Sequence, residues 1–227
     1  MLSSRIKLII TSTLLLLFST KALAEKPVYY VYLAGPEVFL SDPIQAGVDK
    51  KKLISTLATA QDWPFELIGL YPMDNEIPNF KPNAETGMRI YHANLDLMNK
   101  AHFIAANMVR FRGPSMDVGT AFEMGYMAGA DKPVFAYYDA KPFYGANEVP
   151  GLYKERVKTF WSVSKKDASL DQDGIAIENF SMTDNLMMVG SHTDTGYEVA
   201  SSFQQTILNI GDYILKQKIK PSNKASK

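Results

Sequence analysis

Apolar residues fall along this chain in short dense runs separated by longer stretches in which they recur every three or four positions. Val28 to Ala34, VYYVYLA, is continuous and closed by Gly35-Pro36, the pattern of a strand buried on both faces. Pro43 to Ala60 places Ile44, Val48, Leu53, Ile54 and Leu57 at helical spacing. Asp42 then fits an N-cap, with proline at the first helical position. Phe65 to Leu70 predicts a second strand, Tyr71 to Asn83 a loop with three prolines, and Ala84 to Asn99 a second helix. His102 to Met108, a helix over 115–130 and Pro133 to Tyr138 continue the series. Such βαβαβαβ alternation predicts a parallel sheet with helices on both faces.

Beyond Asp139 the periodicity weakens. Tyr144 to Gly151 reads as loop, Arg156 to Val163 as a strand and Lys165 to Gly174 as a charged loop. Asn185 to Val189, NLMMV, is a short apolar run headed by asparagine. Tyr197 to Lys216 predicts a last amphipathic helix through Val199, Phe203, Ile207, Ile210 and Ile214. The expected organisation is one domain over 25–217, followed by a basic disordered tail over 218–227.

The start of the chain has a different character. Arg5 and Lys7 precede the apolar and hydroxyl-bearing run Leu8 to Thr20, and Ala22-Leu23-Ala24 ends it, the pattern of a cleaved secretory signal. The run is shorter than the roughly 20 residues that span a bilayer. Residues 1–24 are therefore expected to be a signal peptide, with the protein exported to a periplasm or secreted and no stable membrane association afterwards. Arg5, Lys7 and Lys21 leave with it, so the 24 basic residues become 21 against 24 acidic ones, a formal charge of −3. That balance argues against nucleic acid or anionic lipid as a partner. The absence of cysteine excludes disulfides, thiol catalysis and Cys-ligated zinc.

Chemistry concentrates in Arg112 to Gly125, RGPSMDVGTAFEMG. A Gly/Pro turn delivers Asp117 to a helix start, and Glu123 follows a turn and a half later, over Gly119 on the same face. In an open α/β sheet this loop lies at the carboxyl ends of the strands, where ligands bind. Two carboxylates there point to chemistry at a sugar carbon or to proton transfer. The plainer role for Asp117 is a helix cap. Small residues at Ala121, Gly125, Ala128 and Gly129 are expected to let this helix lie close on the sheet. His92, His102 and His192 share no metal-ligand spacing, and neither metal nor cofactor is expected. Arg110 and Arg112 bracket Phe111 and read as surface charge, or as a phosphate contact if the substrate is a deoxynucleotide.

Four segments, VYLAGPEVF (Val31 to Phe39), YPMDNEIP (Tyr71 to Pro78), FRGPSMDVGTAFEMGYMAGADKPVF (Phe111 to Phe135) and DNLMM (Asp184 to Met188), resemble the nucleoside 2-deoxyribosyltransferase family in the family's own order. The resemblance implies a flavodoxin-like (Rossmann-like) α/β fold. It also implies a homo-oligomer whose neighbouring subunits complete each other's sites, and 2′-deoxynucleosides and free nucleobases as substrates. By resemblance Glu123 is the nucleophile at C1′, forming a deoxyribosyl ester. Asp117 holds sugar hydroxyls or supports the nucleophile, and Tyr32 orients the Glu123 carboxylate. Asn185 and Met187 come from the adjacent subunit. Phe39, Tyr71, Met73 and Phe111 are candidate lining beside Gly119.

One departure concerns the leaving base. Many members place an aspartate where this chain has Asn94, with Asp96 two residues on. A carboxamide can hydrogen-bond a base but cannot be its general acid. Asp96, Asp74 or solvent would then take that part. Three readings follow: an exported deoxyribosyltransferase, an N-glycosidase of deoxynucleosides or deoxynucleotides that uses water, and a non-catalytic nucleoside-binding protein.

Overall fold

The structure, a computed structural model, describes residues 25–145 and 151–217. The leader expected over 1–24 and the tail expected over 218–227 lie outside the described residues, as does most of the loop expected at Tyr144 to Gly151. Strands β1 (Val28–Ala34), β2 (Glu66–Leu70), β3 (Phe103–Asn107) and β4 (Val134–Tyr137) form one parallel sheet in the order β2-β1-β3-β4. Helices α1 (Pro43–Ala60), α2 (Ala84–Lys100) and α3 (Val118–Gly129) are its crossovers. Then come α4 (Lys141–Tyr144), α5 (Tyr153–Trp161), α6 (Leu186–Thr193) and α7 (Phe203–Gln217). This is the flavodoxin-like arrangement that the alternation and the resemblance predicted.

Alternation along each strand sorts the core into two layers. Tyr29, Val31, Leu33, Phe103, Ala105, Phe135 and Tyr137 pack toward α1 and α7 with Ile54, Leu57, Ile207 and Ile210. Tyr32, Ala34, Ile104, Ala106, Val134 and Ala136 face α2 and α3 with Met98, Met124 and Met127. Tyr32 thus lies on the α3 side of the central strand, with a ring that is fully buried. Helix α1 starts as predicted, the Asp42 carboxylate accepting the Gln45 N–H at 3.0 Å ahead of Pro43.

The turn after β1 depends on glycine. Gly35 has φ 157° and ψ 164°, and a Cβ there would lie 2.0 Å from Glu37 Oε2. Glu37 is buried, and its other oxygen accepts from Asn107 Nδ2 at 2.9 Å and pairs with Lys50 Nζ at 2.7 Å. One carboxylate so ties the Pro36–Phe39 turn to α1 and to the end of β3.

Three expectations need correction. Arg156 to Val163 is not a strand: most of it belongs to α5, whose Glu155 and Lys158 pair one turn apart at 3.5 Å. The free edge of β4 is already occupied by Ala200, whose N–H donates to Ala136 O and whose carbonyl accepts from Tyr138 N–H, both at 2.9 Å. That bridge also delays the last helix, which begins at Phe203 instead of Tyr197, with Ser202 Oγ accepting the Gln205 N–H at 3.2 Å. Finally, Gly125 and Gly129 do not press against the sheet. They are exposed, and a Cβ on either would meet nothing within 4 Å, while Thr120, Met124 and Met127 form the buried face.

Candidate active site

Helix α3 begins with a cap that holds one carboxylate still. Asp117 Oδ2 accepts the Thr120 N–H at 2.9 Å and the Thr120 hydroxyl at 3.0 Å. Oδ1 has no partner among the described residues. The plain cap and the candidate site residue are therefore the same side chain, one oxygen engaged in the cap and the other left over. Gly119 leaves room here: a Cβ on it would come 3.1 Å from Asp117 Oδ2.

Glu123, a turn and a half further along α3, receives the Tyr32 hydroxyl on Oε1 at 2.6 Å. The donor reaches it from β1, 91 residues away in sequence. Burial raises the Glu123 carboxyl from its usual 4.5 to about 7; the Tyr32 hydrogen bond pulls it down, and the charge of Asp117 pushes it up. The Tyr32 hydroxyl is raised far above its usual 10, by burial first and then by Glu123, so it remains a donor. Oε2 of Glu123 has no protein partner among the described residues.

Both carboxylates open into a cavity of about 680 Å³ at the carboxyl ends of β1 and β2. Gly35, Val38 and Phe39 line it from the turn after β1, and Pro72, Met73, Asn75, Ile77 and Phe80 from the loop after β2. Ile90 and Asn94 of α2 close one side, and Asp117, Gly119, Thr120 and Glu123 the other. Among the described residues the two acids are the lining's only ionisable groups. The remaining polar side chains include an amide pair of fixed orientation. Asn75 Nδ2 donates to the Pro72 carbonyl and to Asn94 Oδ1, both at 3.3 Å. Because a carbonyl can only accept, Asn75 must turn its amine that way, which leaves Asn75 Oδ1 and Asn94 Nδ2 for a ligand. The cavity therefore combines apolar walls for a flat ring, an acceptor and a donor for its edge, and two carboxylates beyond.

Residues 31–187 match the sequence model of the family described as nucleoside 2-deoxyribosyltransferase. The chain belongs to this family. An uncharacterized protein of Schizosaccharomyces pombe is 29% identical over 189 residues, covering 76% of this chain and 81% of that protein. Among solved structures, a 2-desoxiribosyltransferase from Leishmania mexicana superposes with a TM-score of 0.51 at 24% identity, over 81% of this chain and 97% of that one. A conserved protein from Enterococcus faecalis V583 gives a TM-score of 0.49 at 21% identity, over 85% and 99% of the two chains. The Leishmania comparison is a likeness of fold.

Within this nucleoside 2-deoxyribosyltransferase chain, six of the nine sequence-derived site residues converge. Tyr32, Phe39, Asn94, Asp117, Gly119 and Glu123 sit on or directly behind the cavity wall. Asp96 does not: it is exposed, because two residues along a helix is more than half a turn from Asn94. Asp74 is spent on closing the loop, bound to Lys51 Nζ and to the Tyr71 N–H. Asn185 and Met187 line no part of this cavity. Asn185 caps α6, its Oδ1 accepting the Met187 N–H at 3.0 Å and its Nδ2 donating to Glu178 at 2.7 Å, and Met187 is 66% exposed. Of the suggested lining, Met73 and Phe39 belong to it, whereas Tyr71 is buried in the core. Phe111 backs Phe39 from outside in a stack of 5.1 Å, and Arg112 lies 5.2 Å from the Phe39 ring centre. Asn75 and Thr120 were not singled out from sequence. The YPMDNEIP segment carried Asn75, but its neighbour Asp74 drew attention as the more reactive type.

Proposed function

We propose that this chain is an exported nucleoside 2-deoxyribosyltransferase working by two displacements at Glu123. Glu123 Oε2 attacks C1′ of a 2′-deoxynucleoside, the C1′–N bond breaks, and its electron pair leaves with the base. An acceptor base then attacks C1′ with its ring nitrogen and releases Glu123 as carboxylate, so configuration is retained. The observation that carries this reading is Glu123 itself, opening into the cavity with one oxygen held by Tyr32 at 2.6 Å and the other without a protein partner. Asp117 Oδ1 suits a sugar hydroxyl, and its charge favours the oxocarbenium-like transition state. The amides of Asn75 and Asn94 hold the base edge without protonating it. The leaving base then takes its proton from solvent, and the acceptor base gives up its own ring N–H proton to solvent as the new C1′–N bond forms.

The reading includes an assembly in which Asn185 and Met187 of one subunit complete the site of another. Supporting it, α3 turns Val118, Phe122 and Gly125 to solvent beside the cavity, with Val118 83% exposed. Apolar surface next to a site is more often covered than left wet. Export rests on the sequence of residues 1–24 alone.

The test incubates residues 25–227 with deoxyinosine, with and without free adenine, and separates the products by chromatography. Deoxyadenosine formation that disappears in Glu123→Ala establishes transfer. Hypoxanthine release without deoxyadenosine assigns the hydrolase instead. Binding without any turnover, across deoxynucleosides and their monophosphates, refutes both and leaves a binding protein.

A further inference from the structure

One fully buried carboxylate takes no part in the chemistry above. Asp184 lies just before α6 and has no accessible surface. An ion in that position is costly unless donors surround it. Oδ1 accepts the Ser115 hydroxyl at 2.5 Å and the Asn185 N–H at 2.8 Å, and Oδ2 accepts the Met116 N–H at 3.1 Å and Arg156 Nη2 at 3.2 Å. Burial raises the Asp184 carboxyl, and these donors draw it back. Arg156 reaches past Asp184 as well, donating through Nε to the Pro114 carbonyl at 2.5 Å and through Nη2 to the Thr183 carbonyl.

The partners are consecutive. Pro114, Ser115 and Met116 are each held from residue 156 or 184, and the next residue is Asp117. On its other side the same turn is closed by the Phe111 N–H on Ser115 O at 2.9 Å and by an Arg110–Met116 bridge. The Thr120 cap fixes the Asp117 side chain, but nothing in that cap fixes where the backbone enters α3. Filling the space of Asp184 with an apolar residue would preserve packing and strand the Ser115 hydroxyl and Met116 N–H without acceptors.

We infer that Asp184, together with Arg156, is a positioning residue that sets the backbone entering α3 and thereby the place of Asp117 relative to Glu123. This rests on reading the Asp117–Glu123 cavity as the site of deoxyribosyl transfer, but its test does not need turnover. Among the described residues two titratable groups face Glu123, Tyr32 from β1 and Asp117 from the start of α3; α2 and the loop after β2 offer neutral amides.

The experiment follows the Glu123 carboxyl carbon by NMR through a pH titration, in the wild type, Asp117→Asn, Ser115→Ala, Asp184→Asn and the double variant Asp117→Asn/Ser115→Ala. Asp117→Asn removes a repelling charge and lowers the midpoint. Displacing Asp117 is expected to lower it in the same direction in Ser115→Ala and Asp184→Asn, with no further fall in the double variant. A wild-type midpoint in folded Ser115→Ala, or additive shifts in the double variant, overturns the inference. Ser115→Ala decides the matter if Asp184→Asn does not fold. In turnover, Asp184→Asn should lose roughly tenfold or more in kcat, as misplacements of about 1 Å do, with KM nearly constant. A wild type that transfers no sugar refutes the functional reading and leaves the titration free to judge Asp184.

Discussion

Replacing Tyr32 with phenylalanine deletes one oxygen from the site and little else, because the ring is fully buried and keeps its packing. What disappears is the donor 2.6 Å from Glu123 Oε1, the interaction that draws that carboxyl down against burial and Asp117. A hydrogen bond to a charged group contributes about 1.5–3 kcal/mol, and about 1.4 kcal/mol corresponds to one pK unit. Glu123 should therefore move from about 7 to roughly 8–9 in Tyr32→Phe. At pH 7 about half of wild-type molecules carry Glu123 as the carboxylate, against roughly 1–10% of the variant. The assay is the initial rate of base exchange at low substrate, which follows kcat/KM and so the free enzyme. Its acid limb should shift upward by one to two units, with a loss of roughly 5- to 50-fold at pH 7 that is mostly recovered near pH 9.5. An acid limb that stays in place or moves to lower pH would refute the reasoning. A loss that persists at high pH would assign Tyr32 a part other than tuning the carboxyl.

The same carboxyl makes a stability prediction of defined sign. Its folded value lies above the ordinary 4.5, so the wild type should lose about 2–3 kcal/mol as pH rises from about 4.5 through about 7, and Glu123→Gln should not. Urea midpoints of the two proteins should coincide at low pH and diverge above it; a gap independent of pH contradicts this. Asn94→Asp should add a general acid beside the base and with it a falling alkaline limb in kcat, while a profile of unchanged shape would mean that protonation is handled elsewhere. Asn185→Ala and Glu123→Ala proteins, each weakly active or inactive alone, should regain activity when their subunits are exchanged. Demonstrably mixed oligomers without any gain would argue against a shared site.

Much of the frame was legible because local signals agreed with one another. Asp42 and Pro43 marked the start of α1, and continuous apolar runs marked the strands of a sheet covered on both faces. In the site, Asp117 and Glu123 could be singled out from their spacing after a Gly/Pro turn. Tyr32 could not, since its partner is 91 residues away and only the family resemblance paired them. The failures have physical causes. RVKTFWSV alternates well enough to pass for a strand, yet most of it is helical in α5, and the residue that pairs with the edge of β4 is Ala200. Glycine spacing on α3 looked like close packing, yet spacing cannot say which side of a helix meets the sheet. Asp184 stood at the head of the DNLMM match, but nothing there marked it as buried: a charged residue in an aperiodic stretch reads as surface until the donors that bury it are brought up from elsewhere.

That carboxylate also orders events in time. Met116 is bound by a residue 68 positions later in the chain. At roughly 5–20 residues per second, several seconds of synthesis separate helix α3 from the side chain that steadies its entrance. A growing chain would carry Tyr32, Asp117 and Glu123 for that whole interval before the entrance to α3 is fastened, so a side chain that lies outside the cavity is made well after the carboxylates it helps to place.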